Sequence, residues 1–337
     1  MARITLQPSG HGFEAAPDEN LLAAALRQQL HLPHSCRSGR CGSCMAQVLE
    51  GTVSYPAGTP PALSAEQAAT GKALLCQAHA GSDLVLQVRE VAGVEGLEPR
   101  IYPCRVTAHD LLAPDVMRLL LKLPQGQALR FRPGQYLDFL LQGGKRRSFS
   151  MATPPSADGQ LELHIRRVPG GHFTGHVFDA MQDKALLRLE APLGTFFLRE
   201  EDASPVILVG GGTGFAPLKA ILEDALPRLP QRAFHLFWGA RARRDLYLDA
   251  LPRAWTVQHP NFHYTPVLSE PAPDDGWTGE TGWVHDAVLR AYPALAGHEV
   301  YMSGPPPMIN AARTAFTARG LDPERLYFDS FEFAASD

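Results

Sequence analysis

A chain of 337 residues, 45% hydrophobic and 20% charged, is long enough for two or three domains and too apolar for wholesale disorder. Its formal charge of −4 is uneven: residues 1–98 hold six basic and nine acidic side chains, residues 101–200 thirteen and nine, and residues 201–337 eleven and seventeen. No Lys/Arg-rich helix or aromatic-interleaved basic strip appears, and no apolar run reaches about 18 residues, so neither nucleic acid nor a membrane is an expected partner. The opening Met1-Ala2-Arg3-Ile4-Thr5 lacks a signal core and alternates like a strand, and a cytoplasmic monomer is expected.

Residues 1–92 read as a small α+β unit. Ile4 and Leu6 alternate with polar residues, Asn20 caps a predicted helix through Leu26, and Ser64 with Gln67 forms a capping box. Met45–Leu49 and Leu84–Val88 read as strands, and residues 93–99, with two glycines and a proline, read as a linker. Residues 100–202 are strand-rich, with runs Tyr136–Leu141, Leu161–Arg166 and Leu186–Glu190 set off by Pro/Gly turns and one helix over Phe173–Met181. That rhythm predicts a small antiparallel β-barrel. From 203 to 337 strands alternate with helices: Pro205–Val209, Ala233–Phe237, Phe262–Val267 and Val300–Met302, with helices starting near Phe215, Asp245, Val284 and Pro307. The pattern predicts a doubly wound α/β parallel sheet.

Four of the five cysteines fall in the first 76 residues, which points to metal or redox chemistry rather than a disulfide framework. Cys36, Cys41 and Cys44 form C-x4-C-x2-C, and 31 residues separate Cys44 from Cys76. This is the plant-type [2Fe–2S] spacing, whose centres have potentials near about −400 mV. Gly39 and Gly42 allow a tight loop that brings amides to the sulfurs. A structural zinc site usually shows two short cysteine pairs, and a Rieske centre needs two histidine ligands. His31, His34 and His79 lie near, but no C-x-H pair exists. Cys104 stands apart and reads as a buried small hydrophobe. The run Pro33–Cys44 resembles the plant-type ferredoxin signature C-R-x-G-x-C-G-x-C throughout, and a β-grasp ferredoxin fold is what that resemblance implies.

Arg147-Ser148-Phe149-Ser150 resembles the R-x-Y-S motif of the ferredoxin–NADP reductase superfamily, with Phe149 where the family has tyrosine. The resemblance implies that Arg147 binds flavin pyrophosphate, that Ser150 approaches flavin N5, and that Ser148 and Phe149 line the flavin. A planar guanidinium suits bidentate phosphate binding. His164-Ile165-Arg166 and the following Gly170, Gly171, Phe173 and Thr174 resemble the family's strand–turn–helix, in which backbone groups and a hydroxyl meet the pyrophosphate at a helix N-terminus. The module order implies FAD.

Gly210-Gly211-Gly212-Thr213-Gly214 follows a strand and opens a helix, and with Pro217 it resembles the superfamily's G-G-x-G-x-x-P nicotinamide turn. Arg241 and Arg243 follow the second strand, where the adenosine ribose lies in such folds. They could attract a 2′-phosphate, yet the segment resembles NADH-linked reductases, so NADH is expected with NADPH left open. Ser303-Gly304-Pro305 resembles the family's C-G-P, with Ser303 in place of the cysteine beside the nicotinamide. The ending Tyr327–Phe333 is aromatic, and the resemblance implies that Phe331 covers the flavin ring.

The whole chain resembles the three-module reductase components of bacterial multicomponent oxygenases, and within them the CDP-6-deoxy-3,4-glucoseen reductase-like branch. The implied activity is hydride transfer from NADH to FAD and one-electron transfer through the [2Fe–2S] cluster to a protein acceptor, an oxygenase or a sugar-nucleotide dehydratase component. A free-standing NAD(P)H oxidase or flavin reductase, and a redox-sensing interaction module, remain as alternatives.

Overall fold

The computed structural model describes residues 1–201 and 203–332. Two compact units emerge, one of Met1–Glu98 with Gly194–Phe196, the other of Pro99–Leu193 with the chain from Phe197 onward. The predicted linker residues 93–98 thus belong to the first unit, where Val94 is buried and Val91 N–H donates to the His31 carbonyl at 2.7 Å.

The first unit is built on a five-stranded mixed sheet in the order Gly12–Ala15, Ala2–Gln7, Leu84–Gln87, Met45–Glu50, Lys72–Leu74. Alternation puts Ile4, Leu6, Leu84 and Leu86 on one face, and the helix Leu21–Arg27 covers it with Leu21, Leu22, Ala24 and Ala25. Asn20 caps that helix by accepting from Ala23 N–H at 2.9 Å, and Ser64 and Gln67 satisfy each other's backbone at the start of Ala65–Ala69. Gly194–Phe196 is held here because Thr195 Oγ1 accepts from His34 N–H at 2.9 Å and donates to the His34 carbonyl at 3.0 Å.

The second unit holds two six-stranded sheets. One is antiparallel, in the order Arg146–Ser150, Tyr136–Leu140, Leu186–Leu193, Arg100–Ala113, Val116–Lys122, Gln160–Arg166. Its core includes Phe139, Leu119, Leu163 and Cys104, whose thiol burial pushes up to about 12, as suits an inert filler. The helix His172–Asp179 packs Phe173 and Val177 onto it.

The other sheet is parallel, in the order Glu280–Thr281, Phe262–Leu268, Phe234–Ala240, Val206–Gly211, Glu299–Gly304, Leu326–Ser330. The aromatic ending is therefore an edge strand up to Ser330; Phe333 lies outside the described residues. The helix expected near Asp245 is displaced. Arg243–Asp245 forms a single 3-10 turn and the α-helix is Ala250–Gln258. The chain between them is drawn inward by Tyr247, whose ring meets His164 and Trp238 edge-on.

Candidate functional site

The cysteine loop is shaped by left-handed backbone at Gly39 and Gly42, with φ of 73° and 80°. At Gly39 a Cβ would also lie 2.6 Å from Pro60 Cβ, so the loop can close only with glycine there. Amides point at sulfur: Ser38 and Cys41 N–H donate to Cys36 Sγ at 3.4 Å each, Ser43 N–H to Cys41 Sγ at 3.5 Å, and the Gly39 and Cys76 backbone to the Cys76 and Cys44 sulfurs. Leu75 N–H donates to the Cys44 carbonyl at 3.1 Å, bringing the distant Cys76 beside the loop. The thiols meet in pairs, Cys41 donating to Cys36 and Cys44 to Cys76. These hydrogen bonds draw the Cys36 and Cys76 thiols down and push Cys41 and Cys44 up. Among the described residues no three His, Cys, Asp or Glu side chains converge on one metal position. Two thiol pairs suit a cluster of two irons with two sulfur ligands each. His34 and His79 bind backbone instead, at the Leu32 and Pro17 carbonyls.

In the flavin segment, antiparallel pairing sets Ser148 opposite Asp138 and Phe149 opposite Leu137. Arg146 is tied down by Glu190 and Asp138. Arg147 is different: it donates only to its neighbour's carbonyl, at 2.8 Å, and among the described residues no carboxylate pairs with it. Its half-exposed guanidinium is available to an anion. Ser148 Oγ donates to Asp138 Oδ1 at 2.6 Å, so its hydroxyl is already committed. Phe149 joins Phe139 and Phe173 in an aromatic trio with ring centroids 5.0–5.9 Å apart. Packing of that kind needs no phenol, and the expected tyrosine can be absent without leaving an unpaired group. Gly170, with φ of 73°, turns the chain into the helix His172–Asp179, and Thr174 Oγ1 accepts from Val168 N–H at 3.1 Å to hold the turn. Thr174 is thus a brace of the turn that opens into the helix His172–Asp179.

His164 and Arg166 lie where the sequence reading put them in the chain, but their side chains face elsewhere. Both His164 ring nitrogens are used, one with Tyr247 Oη at 3.0 Å and the other with Glu162 Oε1 at 2.8 Å. Burial holds its pKa below the ordinary value. The chain of contacts runs on to Lys219, which is buried 3.4 Å from Glu162, 2.9 Å from Glu223 and 3.0 Å from the Ala152 carbonyl. Ile165 is fully buried core. Arg166 extends over the nicotinamide turn, where a Cβ on Gly212 would be 3.4 Å from its guanidinium.

The glycine turn is locked by close approach. A Cβ on Gly214 would fall onto the Ser303 carbonyl, and one on Gly211 would lie 2.6 Å from Met308 Sδ and 2.9 Å from Pro305. Trp238 Nε1 donates to the Gly212 carbonyl at 2.9 Å and stacks on Phe215 at 4.1 Å, setting the turn from beneath. Thr213 is buried within it. Strand register then forms a row: Gly210 pairs with Ser303, and Ser303 with Asp329. Ser303 is fully buried and its hydroxyl has no hydrogen-bond partner among the described residues. Ser150 Oγ, from the antiparallel sheet, donates to Asp329 Oδ2 at 3.2 Å. One of the two hydroxyls expected along the hydride path thus bonds Asp329, and the other belongs to the residue in register with it, at the carboxyl ends of parallel strands where ligands bind in such sheets. Asp329 was missed as a site residue, because nothing local marks it and only strand pairing brings it to Ser303. Phe331 follows that strand, its N–H donating to the Gly304 carbonyl at 2.9 Å. Arg241, largely exposed, lies 3.7 Å from Asp245 and 3.9 Å from Asp115.

A paired-thiol cluster loop, an antiparallel sheet presenting a free arginine, and a parallel sheet with a glycine turn together define an iron–sulfur flavoprotein oxidoreductase. Three family models match in that order: a 2Fe-2S iron-sulfur cluster binding domain over residues 4–81, an oxidoreductase FAD-binding domain over 103–198 and an oxidoreductase NAD-binding domain over 208–314. The chain is 38% identical over 328 residues to the CDP-6-deoxy-L-threo-D-glycero-4-hexulose-3-dehydrase reductase of Yersinia pestis, covering 97% of this chain and 98% of that one. It is 35% identical over 331 residues to a terephthalate 1,2-dioxygenase reductase component of Comamonas, covering 98% and 97%. Among solved structures it resembles the Amycolatopsis cytochrome P450 reductase GcoB, with TM-score 0.78, 35% identity and coverage of 98% and 99%. The chain belongs to this family of three-module reductases. It is an NAD(P)H-dependent oxidoreductase that passes electrons through FAD and a [2Fe–2S] cluster to a partner.

Proposed function

We propose that the chain takes reducing equivalents from NADH and delivers single electrons to a protein partner, either an oxygenase component or a sugar-nucleotide dehydratase component. The observation that carries this reading is the bond from Ser150 in the antiparallel sheet to Asp329 in the parallel sheet, on the strand in register with Ser303. The similarity to reductases named for both partner types supports the partner class. When bound, FAD accepts a hydride and yields electrons singly, and the cluster conducts them onward.

Cys36, Cys41, Cys44 and Cys76 hold the cluster, with the Ser38, Cys41 and Ser43 amides placed to hydrogen-bond sulfur. Arg147 neutralises flavin pyrophosphate together with the start of the helix after Gly171. Ser150 presents its hydroxyl to the hydride-accepting edge of the flavin, oriented by Asp329. Gly210–Gly214 with Gly304 and Pro305 form the nicotinamide turn, and the Ser303 hydroxyl is left for the nicotinamide ring or its amide. Arg166 donates to the dinucleotide across Gly212. Phe331 shields the flavin ring. Residues 1–92, 100–202 and 203–337 correspond to the three modules, with 93–98 packed into the first. The antiparallel sheet curls into a barrel, a reading supported by the bridge Met151↔Leu163 between its two ends.

An anaerobic NADH titration of the purified protein tests the relay. It should bleach the flavin and then produce the rhombic EPR signal of a reduced [2Fe–2S] cluster. Full flavin bleaching with the cluster left oxidised would overturn it.

A further inference from the structure

At the end of the second parallel strand, dinucleotide folds that choose the unphosphorylated cofactor carry an acidic residue for the ribose 2′-hydroxyl. Here that strand runs out as Gly239-Ala240-Arg241-Ala242 and offers a cation instead. The carboxylate comes from elsewhere. Ala113 and Val116 pair across a two-residue turn, and Asp115 sits in that turn at the tip of the antiparallel hairpin. Arg167 N–H donates to the Asp115 carbonyl at 2.8 Å, which pins the tip beside Arg166. Asp115 Oδ2 then lies 3.6 Å from Arg166 Nε and 3.9 Å from Arg241 Nη2. Those separations are too long for good hydrogen bonds, and the leftover capacity is visible. Asp115 Oδ1, Arg166 Nε and Arg166 Nη2 are all buried with no hydrogen-bond partner among the described residues. Buried orphan groups of both polarities, side by side next to Gly212, are what a bound diol and phosphate would satisfy.

We propose that Asp115, carried by the flavin-binding module, selects NADH over NADPH by accepting from the adenosine ribose 2′-hydroxyl and repelling a 2′-phosphate. The inference rests on the reading of Gly210–Gly214 as the dinucleotide turn. Asp115 supplies the acceptor that the second strand lacks, and at the same time offsets the charge of Arg241. Selectivity for one module's ligand is thereby held by the other module, and a phosphate placed here would face the Asp115 carboxylate, whose Oδ1 has no hydrogen-bond partner among the described residues.

The test is steady-state reduction of ferricyanide by the holoenzyme with NADH and with NADPH, for wild type, Asp115→Asn, Asp115→Ala and Arg241→Ala. Flavin and cluster absorbance report folding. Wild type should favour NADH. Asp115→Asn should raise KM for NADH about tenfold with kcat little changed, and improve kcat/KM for NADPH, because a charge-assisted hydrogen bond is lost and a repulsion relieved. Arg241→Ala, which removes the cation that would attract a 2′-phosphate, should lower NADPH use further and widen the NADH/NADPH ratio. A wild type that favours NADPH, or an NADH/NADPH ratio unmoved within about twofold in both Asp115 variants, would overturn the proposal. If either Asp115 variant loses its flavin, the ratio in the other and in Arg241→Ala still decides. A wild type that neither dinucleotide reduces would instead sink the dinucleotide-turn reading.

Discussion

Ser150 Oγ donates to Asp329 Oδ2 at 3.2 Å, joining a strand of the antiparallel sheet to the last strand of the parallel sheet across 179 positions of sequence. Both groups are buried, and Ser303 stands in register with Asp329. With its proton given to Asp329, the Ser150 oxygen is left as an oriented hydrogen-bond acceptor, and loss of one oriented hydrogen-bond partner that acts in the transition state costs about 100-fold. Ser150→Ala should slow NADH-driven flavin bleaching by about that factor in anaerobic stopped flow, with flavin content unchanged. Asp329→Asn, which keeps the shape and loses the charge, should slow it by about tenfold.

Cys41→Ser separates the two halves of the relay. The variant should still bleach its flavin with NADH but show no reduced-cluster EPR signal. Reduction of cytochrome c should fall at least about tenfold, since the one-electron exit is removed while hydride acceptance is not. Unchanged cytochrome c turnover would mean that the cluster is not on the path.

Gly214→Ala places a methyl group on the Ser303 carbonyl, and neither turn has a flexible side chain that could give way. A loss above about 3 kcal/mol in the stability of the nicotinamide-binding sheet is expected, read by thermal unfolding followed through tryptophan fluorescence. NADH binding should be lost with it.

Lys219 is the cation between Glu162 and Glu223, all three from the interior of the second unit. Lys219→Met leaves two half-buried carboxylates without their counter-charge and should cost about 2–3 kcal/mol in chemical denaturation. Adding Glu162→Gln should return part of that loss, a coupling that a purely steric effect of the methionine would not produce.

His235 titrates in the opposite sense to a histidine held by a carboxylate. Burial, with the neighbouring His263 charge second, pulls its pKa down to about 4. Its ring nitrogens meet the hydroxyls of Tyr292 and Thr265, each at 2.9 Å, and among the described residues no carboxylate is bonded to it. The folded chain therefore binds fewer protons than the unfolded chain between about pH 4 and 6.5, and stability falls as pH drops through that window. Allowing for partial exposure, about 2 kcal/mol should be lost by pH 4. His235→Gln, which keeps hydrogen-bonding capacity without titrating, should flatten that part of the pH–stability curve.

The chain's chemistry was legible wherever it is encoded by near neighbours. C-x4-C-x2-C, the R-x-F-S strand and the glycine turn each act through residues a few positions apart, and local backbone geometry places their groups without help from the rest of the fold. The helix caps at Asn20 and Ser64 were read for the same reason. Departures came from side chains whose direction is set by distant partners. The interior partners Tyr247 and Glu162 take up His164, and Tyr247, drawn inward, delays the helix expected at Asp245. Arg166, from the flavin segment, ends beside Gly212 because strand pairing carries it there.

What the sequence by itself determined is therefore the set of three modules, and its spacing restricts which sulfurs can converge to Cys36, Cys41, Cys44 and Cys76. Only the tertiary structure decided that Asp329 bonds Ser150 and stands in register with Ser303, and that Asp115 meets Arg241. Both depend on strand order and register, which bring together residues that no local periodicity relates.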